Sequence, residues 1–499
     1  MRRFLFGTLS ALGAAVVALS GQVPSLAIVG ATLIDGNGGA PVQDAVVIIN
    51  AGRVSAAGPR QTTGVPAGAQ TIDGTGKFVV PGFVDTNVHL SLYGGMADRY
   101  ETLVRYWAQQ QDIVLEAAQI ELRAGITTVR DSYGMLRPLV ATRDRIAAGH
   151  AVGSRILAAG NILGWSGPYS ISFSLTREQG LTLFQEQMND EIAQGAGEEI
   201  MEMTPPELAR AIDAYLDKGP DFLKYGGTSH FSEPTFIGFS PEAQKVIVER
   251  AHARSKMAEV HATSPEGLRL AIEAGIDGIQ HPEMVDGKPI SDELVRRIVD
   301  RRMYCSMLVS TITGEVWEKH LKDRADAETK LADAAKKTPA RPRTTFEDKQ
   351  RDADLGVGLD VRRSNAQKLI KAGAVITVGT DSYWAAASEL SRTPKPQNQD
   401  HGIGTILAIE GLVELGMTPS QAIVAGTRNG AIASRGATDF GTIEPGKRAD
   451  LLVLDADPLV DIHNIRRIEA LIKDGRVIDR ASLPQKRVLS RATAGTASQ

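Results

Sequence analysis

Eight short β-type runs separated by helix-type sequence constrain this chain more than any other feature. They lie at 80–89, 126–131, 155–160, 221–225, 257–261, 278–281, 304–308 and 374–381. Each is too short and apolar for a surface helix, and each is preceded or followed by a longer amphipathic stretch. Eight βα units argue for an α/β chain closing as a (β/α)8 TIM-type barrel over residues 81–438. The 50 glycines suit the many tight strand-to-helix turns of such a fold. Two intervals are oversized, 180–215 (rich in Glu and Met) and 313–360 (rich in Lys, Asp and Ala), and read as helical insertions. Their charge reads as a solvated face, with a lid at the barrel mouth as the alternative.

The 499 residues exceed one ordinary domain. Short β-runs divided by turn residues occupy 24–80, and the same texture returns at 439–480. Neither patch is stable alone, so the two are expected to pair into one small β-sandwich domain built from both chain ends, with 481–499 a tail. Residues 1–20 read as a signal peptide: Met1-Arg2-Arg3, an apolar stretch over 4–19, and small residues at Ala18 and Ser20. The expectation is export to the periplasm or beyond, by the general or the twin-arginine route. No membrane contact is expected after cleavage. A net charge of −4 gives no footprint for nucleic acid. The lone Cys305 sits in an apolar run and reads as a buried, inert thiol.

The chemistry shows in how the strands end. Five of the eight carry a polar, metal-capable candidate at the last or next-to-last position: His89, Lys224, His261, His281 and Asp381. In a barrel the C-terminal strand ends converge on one mouth, so these five would meet there. Singly, each has an ordinary structural reading: a hydrogen-bonded core histidine, a snorkelling lysine, a helix N-cap. Nothing structural demands such types at all five ends, which points to a metal site. Asn87 precedes His89 by two, so both side chains leave the strand on one face. An amide oxygen there is a harder and weaker donor than imidazole.

These residues, together with Gly82-Phe83-Val84-Asp85, Gly125-Ile126-Thr127-Thr128-Val129-Arg130-Asp131, Gly379-Thr380-Asp381 and Pro445-Gly446-Lys447-Arg448-Ala449-Asp450-Leu451, resemble the amidohydrolase superfamily. The likeness is to its imidazolonepropionase-like and Xaa-Pro dipeptidase-type branch, and it covers the chain after the leader. The resemblance implies a binuclear metal centre, most simply two zinc ions per chain, with N6-carboxylysine at Lys224 as the bridge. His261 and His281 would ligate one metal, His89 and Asp381 the other, and Asn87 would stand where the family has a further histidine. It implies a metal-activated hydroxide, with Asp381 passing the proton from water to the leaving nitrogen. Relatives often assemble, so a homo-oligomer acting on a small molecule is expected.

Two departures bear on the substrate. Dipeptidase-type relatives carry a Gly-Gly-His-Gly-like loop after strand three. Here the loop reads Gly160-Asn161-Ile162-Leu163-Gly164-Trp165-Ser166-Gly167-Pro168-Tyr169, without the histidine. Trp165 and Tyr169 either offer flat apolar surface to an aromatic group or pack the loop. The Asn-X-His spacing resembles phenylurea hydrolases. Tyr225 and His230 either reach the substrate or pack locally, and His401 either contacts substrate or shapes its turn. His150, His252, His320 and His463 read as surface residues. The leading function is hydrolysis of an amide or urea C–N bond, with an N-aryl group. The alternatives are a Xaa-Pro-type dipeptidase or N-acyl amino acid hydrolase, and a non-catalytic binding protein with a decayed metal site.

Overall fold

The computed structural model describes residues 25–92, 104–167, 182–230, 235–285, 287–337, 342–384 and 397–486. The leader at 1–20, Tyr169 and most of the 481–499 tail lie outside the described residues.

Five N-terminal strands come first: β1 (Leu26–Leu33), β2 (Val42–Asn50), β3 (Arg53–Pro59), β4 (Gln70–Asp73) and β5 (Phe78–Pro81). Eight parallel strands follow: β6 (Phe83–Val88), β7 (Ile126–Asp131), β8 (Arg155–Ala158), β9 (Leu223–Gly226), β10 (Ala258–His261), β11 (Gly278–Gln280), β12 (Tyr304–Met307) and β13 (Val375–Val378). Three C-terminal strands end the chain: β14 (Leu451–Leu454), β15 (Ile468–Lys473) and β16 (Arg476–Ile478).

The two chain ends share one mixed sheet in the order β16-β15-β14-β5-β1-β2-β3, with β4 paired to β1. The stitch is β5, parallel to β1 at Thr32–Phe78 and antiparallel to β14 at Leu451–Pro81. One face of this sheet buries Ile28, Val47, Val79, Ile443, Val453 and Ile472 as a core of its own. Burial of alternate residues supplies the stability that neither end could reach separately.

β6, β7, β9, β10, β11 and β12 are buried along their whole length, as parallel strands covered by helices must be. Their ladders form two arcs rather than one continuous ring: β6-β7-β8 and β13-β12-β11-β10-β9. At each seam a single parallel bridge stands beyond the strand ends, Val88 to Ser382 on one side and Leu163 to Tyr225 on the other. Asp381 takes φ +54 just after β13 and Gly160 takes φ +76 just after β8, so the regular strands stop there. Backbone bonds still cross each seam, from Asp381 N–H to the Asn87 carbonyl at 2.7 Å and from Leu163 N–H to the Lys224 carbonyl at 2.9 Å.

Both oversized intervals are helical. The first holds Leu183–Ala193 and Pro205–Leu216, the latter started by a Thr204–Glu207 capping box with proline at its first position. The second holds Gly314–Lys337, Thr345–Asp354 and Val357–Lys371. His320 corrects an expectation, because it is buried rather than a surface residue. Its Nε2 meets Asp360 Oδ1 at 2.9 Å, a partner supplied by a helix 40 positions away. Cys305 is fully buried, and burial pushes its thiol pKa up, as an inert thiol requires.

Candidate active site

The strand ends bring the chemistry to one place, and Asp381 is its centre. Its Oδ1 lies 2.8 Å from His89 Nε2, 3.2 Å from Asn87 Nδ2 and 3.9 Å from His281 Nε2. Its side chain is 25% exposed, whereas Asn87, His89, Lys224, His261 and His281 are buried. Asp381 and His281 both hold left-handed backbone, φ +54 and φ +61, just beyond β13 and β11. Such conformations cost an L residue about 1–3 kcal/mol and cluster where a side chain must be aimed.

The electrostatics follow from this enclosure. Desolvation pushes the Asp381 carboxyl pKa up. The charge and hydrogen bond of His89, with His281 and Lys224, outweigh it and hold the carboxyl well below the usual range. Burial pushes His281 down to about 3. Burial, then the neighbouring His281, His230 and Lys224, pushes His261 well down too. Both imidazoles are therefore neutral at physiological pH. Lys224 is lowered, again by burial first.

His89 is fixed by its other nitrogen: Nδ1 donates to the Tyr133 carbonyl at 2.9 Å, which turns Nε2 toward Asp381. Asn87 differs from the expectation that it offers an oxygen ligand. Its Oδ1 accepts a hydrogen bond from Ser132 Oγ and its Nδ2 faces Asp381. The reason is complementarity, since an ionised carboxylate only accepts and draws the amide's N–H side. Ser132 in turn accepts from Lys224 Nζ at 3.2 Å, giving a directed chain from Lys224 to Asp381. Sequence reasoning passed over Ser132, although it is the polar residue directly after β7, the same signal that marked the other ends.

Of the remaining candidates, Trp165 and His230 reach the site. Trp165 packs edge-on to His261 with centroids 5.0 Å apart, and covers Gly226 so closely that a Cβ there would meet its Nε1 at 2.1 Å. His230 stacks on His261 at 5.9 Å with planes 16° apart, and it is exposed. Tyr225 takes the local of its two readings. It leaves β9 on the face opposite Lys224, and its hydroxyl donates to Gln244 Oε1 at 3.0 Å, away from the mouth. His401 is buried, and its Nε2 holds the His89 carbonyl at 3.0 Å, a backbone-positioning contact.

Among the described residues no group of three His, Cys, Asp or Glu side chains stands in metal-holding geometry. The donor set nevertheless fits a divalent cation, because His261 Nε2 and His281 Nδ1 are buried with no hydrogen-bond partner. An orphaned buried polar atom costs about 1–3 kcal/mol, and two on neutral imidazoles whose ring centroids lie 5.4 Å apart are donors a metal could satisfy.

Comparison with known proteins gives the family. A solved molinate hydrolase superposes with a TM-score of 0.79 at 31% identity, covering 94% of this chain and 97% of its own. A solved phenylurea hydrolase B superposes with a TM-score of 0.78 at 30% identity, covering 93% and 99%. An imidazolonepropionase from Salinispora tropica is 26% identical over 428 residues, 83% of this chain and 86% of its own. The sequence profile described as "Amidohydrolase family" matches residues 78–478, and this chain belongs to that family of hydrolases.

Proposed function

We propose that this protein hydrolyses an amide or urea C–N bond in a small molecule bearing an N-aryl group. The observation that carries the reading is Asp381: an ionised carboxylate, open to the mouth, set among His89 and two neutral imidazoles with partnerless nitrogens. Enzymes of the amidohydrolase family generally use a divalent metal and act on small molecules. Here His261, His281, His89 and Asp381 would hold it, with Lys224 joining as a carboxylate after taking up carbon dioxide. A metal bound there supplies a water of lowered pKa and polarises the substrate carbonyl.

The chain's own residues do the rest. His89 Nε2, Asn87 Nδ2 and His281 Nε2 all face Oδ1 of Asp381. Oδ2 is then the oxygen that takes the proton from water and returns it to the leaving nitrogen. The returned proton matters because an unprotonated amine is a poor leaving group. The exposed His230 ring stacks flat on His261 beside the buried Trp165, which suits an aryl group beside the scissile bond. The two strand arcs would act as one (β/α)8 barrel. Two zinc ions per chain, assembly of copies and export through residues 1–20 are further parts of this reading, supported by the resemblance and by the leader-like sequence.

One observation favours a second reading, a dipeptidase or N-acyl amino acid hydrolase. Arg362 stands near the mouth, with Nη2 2.7 Å from Thr311 Oγ1 and 3.6 Å from Glu283 Oε1, and its buried Nε has no partner. It is a cation placed where a substrate carboxylate could be held. The test is a substrate panel of an anilide, a phenylurea, Ala-Pro and an N-acetyl amino acid, with metal content measured on the same protein. We expect kcat/KM for the aryl substrates to exceed that for Ala-Pro by at least about tenfold. The reverse order moves the assignment to the second reading. Neither bound metal nor turnover would leave the decayed binding protein.

A further inference from the structure

Two local departures from regular backbone meet at the end of the strands opposite Asp381. Where a helix turns into the next strand, the chain uses left-handed glycine before β11 and β13: Gly275 at φ +87 and Gly373 at φ +79. Before β12 the equivalent left-handed corner is filled by Arg302, at φ +52. A side chain with a Cβ is held there against its steric preference, as Ser255 is at φ +55 before β10. The second departure is the π-helical turn Ala425–Asn429, which takes Arg428 and Asn429 out of α-helical register.

Both departures line one cavity of about 560 Å³ beneath the starts of β10 to β13. That volume is in the range of small-molecule sites. Met257, Ile276 and Ile432 contribute apolar lining. Arg301, Arg302 and Arg428 bring three guanidinium groups, and among the described residues none of the three has a side-chain hydrogen-bond or ion-pair partner. Asp277 is the single carboxylate in the wall, and its Oδ2 is taken by the Ala258 N–H at 2.7 Å and by His252 Nε2 at 2.9 Å. The wall is cationic over an apolar lining, and guanidinium forks match planar or tetrahedral oxyanions.

We infer that this cavity is a second ligand site, separate from the hydrolytic centre, for an organic anion with a carboxylate or phosphate head on an apolar body. The inference is independent of which C–N bond the active site cleaves. The probes are 4-phenylbutyrate, phenyl phosphate and inorganic phosphate, titrated calorimetrically into the full-length enzyme and into Arg302→Gly and Arg428→Gln variants. Arg302→Gly relieves the strained corner, so its thermal midpoint should equal or exceed the parent's, and both variants should keep parental hydrolysis rates. The expected result is saturable binding of at least one aryl anion, weakened by salt and at least about fivefold weaker in each variant. Binding of only one aryl anion identifies the head group. Absence of saturable binding overturns the inference, as do parental affinity in both variants and inorganic phosphate binding as tightly as phenyl phosphate.

Discussion

Glu121 sits on the helix Gln110–Arg123, fully buried, with neither carboxylate oxygen hydrogen-bonded within the described residues. Burial pushes its pKa well above the ordinary value of 4.5, and the charge of Asp85 pushes it further. The nearby Gly402 N–H, short of hydrogen-bond geometry, draws it down only in part. Asp85 is the carboxylate beneath the site: it accepts from Asn87 N at 2.9 Å, Thr380 Oγ1 at 2.8 Å and Thr405 Oγ1 at 2.7 Å. Replacing Glu121 by Gln keeps the shape and removes the ionisation. Because the folded pKa is raised, the folded state binds the proton that the unfolded chain releases above about pH 4.3. The stability this group contributes is complete below that value and is lost as pH rises through the folded pKa. The loss runs at about 1.4 kcal/mol per pH unit for as long as the folded carboxyl stays protonated while the unfolded one does not. Glu121→Gln removes it. Urea unfolding of both proteins at pH 5, 6 and 7 is the assay. The variant should match the parent within about 1 kcal/mol at pH 5 and lead it increasingly at pH 6 and 7, by at most about 1.4 kcal/mol per pH unit. A gap that stays constant with pH refutes the reasoning, since it would mean that Glu121 ionises alike in both states.

Asp381→Asn should lower kcat on the best substrate about 10²- to 10⁴-fold with KM within about threefold, because asparagine tolerates the left-handed backbone but cannot carry the proton. A fall of less than tenfold in steady-state kinetics would assign the proton transfer elsewhere. Tyr225→Phe should leave kcat/KM unchanged within about twofold while costing about 1 kcal/mol in denaturant unfolding, from the lost bond to Gln244. A large kinetic effect would return Tyr225 to the substrate. Chelation should abolish hydrolysis and lower the thermal midpoint, and added zinc should restore both, because metal binding satisfies His261 and His281 only in the folded chain.

The strand ends were legible because two local rules act together. Side chains alternate along a strand, and parallel strands present their C-terminal ends on one side. His89 and Asp381 meet across 292 positions for that reason, without any contact having to be foreseen. The same alternation was enough to exclude Tyr225, since the neighbour of an inward Lys224 must point outward. Asn87 is a different case. Whether an amide presents oxygen or nitrogen depends on what faces it, and its partners Ser132 and Asp381 lie 45 and 294 positions away. No local pattern holds that information, and the proposed chemistry turns on it: with nitrogen toward Asp381, Asn87 orients the carboxylate proposed to move the proton. The substitution that first reads as a weakened metal clamp is then a device for aiming the base. On that account Asn87→His would place a second imidazole against Asp381 Oδ1 and contest the contact His89 now makes there.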